Sequence, residues 1–185
     1  MQFLFVFVFL VLYSITTGHD LQCCQKLESM IYRNTRLLKE LLRRHPKEIP
    51  VREVAFGKSC RQSSTGWGEY ASKAVDGDLN TYMHTGKDQS PYWIVDLGKP
   101  YQIKQIEIFN RKHGDINTGL RLRDLDIIVG TSPYNMHLCA HYAGPAQLGD
   151  HIVLVCQYDE TARYVKLMLR RRDFLHVAEV KVYAL

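Results

Sequence analysis

The chain lacks the short motifs that mark a serine hydrolase, a zinc peptidase or a nucleotide-binding loop. It has no Gly-x-Ser-x-Gly, no His-Glu-x-x-His and no phosphate-cradling glycine loop. Its cysteines offer no zinc site, because Cys23 and Cys24 are adjacent and Cys60, Cys139 and Cys156 are isolated. Asp96 reads as a turn-capping carboxylate, so nothing here is poised for catalysis and the chain is not expected to be an enzyme. Long basic runs are also missing. The densest is Arg170-Arg171-Arg172, with Arg163 and Lys166 upstream, and the net charge of +5 is therefore no nucleic-acid footprint. No Asn-x-Ser/Thr sequon occurs, which excludes N-glycosylation. Internal repeats and low-complexity tracts are absent. With 46% apolar and 23% charged residues in 185, extensive disorder is excluded and one domain with an appendage is expected.

What is present begins with an apolar run from Phe3 to Tyr13, followed by small polar residues. This pattern predicts a secretory signal over residues 1–18, cleaved after Gly18. The run falls short of the roughly 20 residues that span a bilayer, so no integral membrane segment is expected in the mature chain. The protein is expected to be extracellular, where its cysteines meet an oxidising compartment. Their number, five, is odd, so at least one thiol is free or pairs between chains.

Residues 20–45 contain neither Gly nor Pro, and Cys24, Leu27, Ile31, Asn34, Leu38 and Leu41 recur at spacings of 3, 4, 3, 4 and 3. That is a heptad seam, and it predicts an oligomerising coiled-coil helix. Met30, Leu37 and Leu42 widen the stripe, which points to a trimer or higher assembly and equally permits packing on the following domain. Cys23 and Cys24 at its start are candidates for interchain disulfides, which would offset the marginal stability of three heptads. Pro46 and Pro50 end the helix and stiffen a linker over 46–53.

Beyond the linker the hydrophobic period becomes two. Residues 92–98, 101–110, 122–130, 151–158, 163–170 and 177–185 read as strands, separated by Gly, Pro, Asn and Asp clusters. Strands without intervening helices predict an all-β antiparallel jelly-roll sandwich. Cys139 and Cys156 flank a Gly/Pro turn region and suit a staple between neighbouring strands. The loops hold His84, Arg111, His113, Asp115, Arg121 and Arg123. A sugar presents hydroxyls in fixed directions and one apolar C–H face, and Arg forks with a His nitrogen match the hydroxyls. Asp76, Asp78 and Thr81 surround a glycine turn in a pattern that suits a hard cation such as calcium, or a plain Asp-Gly turn.

Three motifs then carry a family resemblance: Gly57-Lys58 with Gln62-Ser63-Ser64, Ala74-Val75-Asp76-Gly77, and Trp93-x-Val95-Asp96-Leu97-Gly98. Residues 54–185 resemble the discoidin-like superfamily and, within it, the F-type lectins or fucolectins. The resemblance implies a carbohydrate-binding lectin that recognises terminal L-fucose on glycans. It implies a sugar site of His84, Arg111, Asp115 and Arg121, with Asp115 orienting the arginines. It also implies a structural calcium on the side chains of Asp76 and Glu179, the carbonyls of Lys73, Asp78 and Ala178, and the Thr81 hydroxyl. Cys139 and Cys156 match a common family disulfide, whereas Cys60 has no counterpart and is left to pair with Cys23 or Cys24. Two departures stand out. The loop from Arg111 to Arg121 is longer than the family's, and Ile116-Asn117 replace its vicinal Cys-Cys. A role in innate immunity follows by analogy alone. The alternative is a discoidin-like adhesion or membrane-surface module, with Arg170–Arg172, Phe174 and Leu175 forming its tip.

Overall fold

The structure is a computed structural model that describes residues 21–44, 50–158 and 160–185. The expected signal segment and most of the linker lie outside the described residues. The chain divides into two compact units, Met1–Ile49 and Pro50–Leu185.

In the first unit Leu21–Arg44 form one continuous helix, α1. Absence of Gly and Pro permits its length, and it ends just ahead of Pro46, as the sequence requires. Along the seam Ile31 is 51% and Leu38 59% exposed in the single chain. Side chains of Cys23 and Cys24 lie outside the described residues. Among the described residues no helix is long and apolar enough to cross a membrane.

The second unit is an antiparallel β-sandwich organised by one long strand. Its strands are β1 (Arg52–Glu53), β2 (Ser59–Gln62), β3 (Met83–His84), β4 (Tyr92–Phe109), β5 (Leu125–Ser132), β6 (Asn135–Tyr142), β7 (His151–Leu154), β8 (Glu160–Leu169), β9 (His176–Val177) and β10 (Glu179–Ala184). The first half of β4 pairs with β2 and β8, and β8 continues to β5 and β6. After a register shift between Asp96 and Tyr101, the second half pairs with β10 and β7. One strand thus pairs with four others, β8 running along both of its halves. Its wholly buried positions, Trp93, Val95 and Leu97 before the shift and Ile106 and Ile108 after it, follow the period of two that places alternate residues on one face, with Ile94 and Ile103 buried slightly less completely. Each such side chain contributes roughly 1.5–3 kcal/mol on leaving water. Arg52 and Glu53 fall in the linker expected from the sequence. They pair instead with Ala184 and Tyr183 and so belong to the sandwich.

The motifs have physical explanations. Trp93 is fully buried and its indole N–H donates to the Ala71 carbonyl at 3.0 Å, which fixes the 3-10 helix Ala71–Val75 against the sheet. Asp96 accepts from Arg163 through both oxygens, at 2.7 and 2.8 Å, and Gly98 follows at a φ of 90° with its N–H on the same carboxylate. The Arg163 guanidinium pulls the Asp96 carboxyl down to about 2.

Cys139, on β6, and Cys156, just beyond β7, form a disulfide that ties these two strands together. Among the described residues the thiol of Cys60 has no disulfide partner; it is half-buried against the core, and burial raises its pKa to about 11, so it is a poor nucleophile. With a sequence separation of 17 between the bonded cysteines, replacing both Cys139 and Cys156 by Ala is expected to destabilise the sandwich by about 3 kcal/mol, read from urea unfolding of the oxidised protein and the variant.

Candidate functional site

The site grows from a short ladder between the loops at one end of the sandwich. Met83 and His84 of β3 pair with Val177 and His176 of β9. Met83 and Ala178 are both buried, so apolar packing backs the ladder. The loop 63–70 wraps this ladder. Gln62 Nε2 donates to the carbonyls of Ser64, Glu69 and His84 at 2.8, 3.0 and 3.0 Å. Ser63 and Ser64 hydroxyls both donate to Asp88 Oδ2. Gly66 donates to the His84 carbonyl at 2.8 Å, and a Cβ there would stand 2.6 Å from the Thr85 oxygen, so only glycine fits. The next residue, Trp67, takes a φ of 51° and is 74% exposed. A large apolar side chain held outward on unfavourable backbone is a common mark of a binding surface.

His84 is only 2% exposed and forms the floor. Its Nδ1 lies 2.5 Å from the Thr85 carbonyl, which can only accept, so in the neutral ring Nδ1 carries the proton and Nε2 is the acceptor. Burial, opposed by that bond and reinforced by Arg111 and Arg121, holds its pKa below the ordinary imidazole value. Trp67 meets the ring edge-on with centroids 4.6 Å apart, Phe174 lies at 5.5 Å and His176 at 5.4 Å. His176 is buried and pushed down to about 3, first by desolvation and then by His84 and the two arginines. Neither of its nitrogens makes a well-formed hydrogen bond, although the Thr118 backbone lies close enough to favour the protonated ring slightly.

Arg111 and Arg121 flank this floor. The Arg111 guanidinium carbon sits 3.9 Å above the Tyr82 ring centroid, and that of Arg121 4.9 Å above Phe174. Cation–π contact holds each fork in place while leaving its N–H edges free. The structure therefore brings together His84, Arg111 and Arg121 as the sequence expected. Asp115 behaves differently. Its Oδ1 accepts from the N–H of Thr118 at 2.9 Å and caps the short helix α2, Ile116–Gly119. The longer loop has room for a helical turn, and a turn needs a cap. That capping bond replaces the expected contact with the arginines. Ile116, the candidate substitute for part of the missing Cys-Cys, is 70% exposed on α2. The alternative membrane tip is not built. Leu175 is fully buried, Phe174 packs at 5.6 Å from Trp67, and Arg171 donates to Asp173 at 2.6 Å and to the Arg121 carbonyl at 3.1 Å.

A second group of oxygens lies around the turn after the 3-10 helix. The Thr81 hydroxyl is 2.7 Å from Asp76 Oδ2, 3.1 Å from the Asp78 carbonyl and 3.4 Å from the Lys73 carbonyl. One hydroxyl proton cannot serve three acceptors, so acceptors exceed donors here. Glu179 comes from β10, where it pairs with Phe109, and its Oε2 accepts from the Gly77 N–H at 3.2 Å. Burial pushes its carboxyl up to about 7, with Asp76 adding repulsion. Asp78 spends its side chain on Asn80, which leaves its carbonyl for the cluster. The neighbouring Ala178 N–H donates to Phe109, ahead of Glu179. All-oxygen donors with two carboxylates, one of them buried, suit a hard cation better than a transition metal. Among the described residues no three His, Cys, Asp or Glu side chains gather in one place.

Sequence reasoning passed over Trp67, Tyr82 and His176, and read Phe174 as part of a membrane tip. Only Trp67 carried a usable signal, as a large aromatic between two glycines. The others become visible once β3 meets β9.

Comparison with known proteins agrees with this geometry. Residues 73–167 match the F5/F8 type C family described as a NedA-like, galactose-binding domain. Fucolectin-6 of Anguilla japonica is 32% identical over 146 residues, 75% of this chain and 76% of its own length. The fucolectin of Anguilla anguilla is 30% identical, covering 74% of this chain and 94% of its own. The lectin domain of lectinolysin, solved in complex with Lewis B antigen, superposes with a TM-score of 0.64 at 30% identity, over 72% of this chain and 97% of the domain. A jelly-roll sandwich with these motifs, relatives that are lectins and binding modules rather than enzymes, and an arginine-flanked loop site all lead to one assignment: the chain belongs to the fucolectin, or F-type lectin, family of the discoidin-like superfamily.

Proposed function

We propose that this protein is a secreted lectin that binds terminal L-fucose at the site floored by His84, with a structural calcium nearby and several copies joined through α1. The observation that carries the reading is two guanidiniums, Arg111 and Arg121, held on aromatic rings around one neutral imidazole. Arg forks donate to hydroxyls and the ring oxygen, and His84 Nε2 accepts a hydroxyl proton. The relatives point the same way, since two are named fucolectins and a third was solved with Lewis B antigen. Trp67 offers the apolar face that the missing Cys-Cys would have given, with its ring exposed beside the floor. Stacking of a sugar C–H face on such a ring makes up for the few polar contacts available.

Calcium would be held by Asp76 and Glu179 with the Lys73, Asp78 and Ala178 carbonyls and the Thr81 hydroxyl. When bound it supplies electrostatic cross-linking between the turn at Gly77 and β10. A single exposed sugar site binds weakly, and joining sites raises avidity without new contacts. The exposed seam residues Leu27, Ile31 and Leu38 on α1 are available for that pairing.

Three outcomes are expected. Retention on immobilised L-fucose should be eluted by free fucose and reduced at least about tenfold by Arg111→Ala or Arg121→Ala, with Trp67→Ala weakening it by about 1–2 kcal/mol in calorimetric titration. The sign of the His84 shift sets the pH profile. Because its pKa is lowered, the ring stays neutral as pH falls through the ordinary imidazole value of about 6.5, so affinity should hold there and fall only at lower pH. A drop centred at or above that value would contradict the role given to His84. For calcium, thermal melting in excess metal and in chelator should differ, by about 2.7 kcal/mol at a hundredfold excess over the dissociation constant, and Glu179→Gln should abolish the difference.

A further inference from the structure

The carboxylates on the loops around the sugar site are already committed. Asp115 caps α2 through Thr118, and Glu69 holds the Lys73 ammonium. Asp173 holds Arg171 at 2.6 Å and accepts from the Phe174 N–H at 2.9 Å, while Asp88 accepts from Ser63 and Ser64. Arg111 and Arg121 face the site with no ion pair among the described residues. Arg111 Nε is buried with no acceptor among the described residues, and so is Arg171 Nε. Neither neighbouring imidazole relieves this, because such a ring is neutral or cationic and supplies no counter-charge, and buried His176 presents two further unpartnered nitrogens. Two uncompensated cations in a half-dry cleft carry a desolvation cost that a counter-charge would remove.

We propose that the preferred ligand is an anionic saccharide, a fucose-type sugar bearing a sulfate ester or a carboxylate that lies between Arg111 and Arg121 and replaces the counter-charge Asp115 withholds. Guanidinium forks match the oxygen spacing of both groups, and charge-assisted bonds of this kind are about twice as strong as neutral ones. Trp67 and the Phe174 ring then receive the apolar face, and His84 Nε2 a neighbouring hydroxyl. The inference rests on the saccharide reading of this site and sharpens its ligand class.

The test is calorimetric titration of the full chain with sulfated fucan oligosaccharides, the same oligosaccharides after desulfation, and uronate-bearing fucosylated oligosaccharides, each at low and at raised salt. The sulfated ligand is expected to bind about tenfold or more tightly than the desulfated one at low salt, with the advantage shrinking as salt screens it. Arg111→Gln with Arg121→Gln should abolish the advantage. An equal gain for the uronate would assign the preference to anionic oxygen in general, and no gain for it would assign it to sulfate. An advantage that survives in the folded double variant would reflect net charge alone and overturn the proposal. Should that variant not fold, competition by inorganic sulfate on the wild type decides between the same two outcomes. Displacement beyond that of chloride at matched ionic strength supports the site, and equal displacement overturns it. Equal affinity for sulfated and desulfated ligands would overturn this inference and leave the fucose reading standing. Binding of the sulfated form alone would support it and remove neutral fucose as the ligand. No binding by any of them would overturn both.

Discussion

A two-residue ladder, Met83–His84 against His176–Val177, is the constraint on which both candidate sites depend. The ladder is short because the strands that contain it are cut off on every side by loops, yet it joins segments more than ninety positions apart in sequence. Pairing His84 with His176 sets Phe174 beside the floor on one side and delivers Glu179 to the Asp76 turn on the other. The turn at Gly66, tight enough to exclude any side chain, then presents Trp67 over the same ring. The proposed sugar site and the proposed cation site therefore share one buried junction. Strain in the loops is tolerated because long strands such as β4 fix their ends.

Electrostatics in this junction are unusually one-sided. Two arginines rest on aromatic faces, two imidazoles beneath them are held neutral by burial and by those arginines, and the surrounding carboxylates are turned to structural duty. Such a site is predisposed toward electron-rich ligands. Hydroxyl oxygens would satisfy it in part, and the anionic oxygens proposed above would satisfy it more completely. Asp115 is the residue that makes the difference. Its carboxylate caps the helical turn of this longer loop instead of pairing with either arginine.

The sandwich was legible because alternation of apolar residues is a direct consequence of strand geometry, and Trp93, Val95, Leu97, Ile106 and Ile108 all face inward as the period demands. His84, Arg111 and Arg121 entered as candidates through the family resemblance, and the structure sets the two arginines on rings beside the His84 floor. The strand Asn135–Tyr142 was missed because its only fully buried apolar position is Cys139, so its alternation is faint. Arg52–Glu53 were missed because two residues carry no period at all. The role of Asp115 was misread for a different reason. A carboxylate at a given spacing can cap a turn or hold an arginine, and only the conformation of the loop decides. Trp67 and His176 take their meaning from long-range pairing, which no local pattern encodes.

Diffraction from crystals grown with L-fucose and calcium tests the central claim most directly, that one junction built on the β3–β9 ladder holds both ligands. The account predicts sugar density in contact with the Arg111 and Arg121 guanidiniums and His84 Nε2, its apolar face toward Trp67, and a cation between Asp76 and Glu179. A sugar seated away from Arg111 and Arg121, or a cation bound without Glu179, would contradict it.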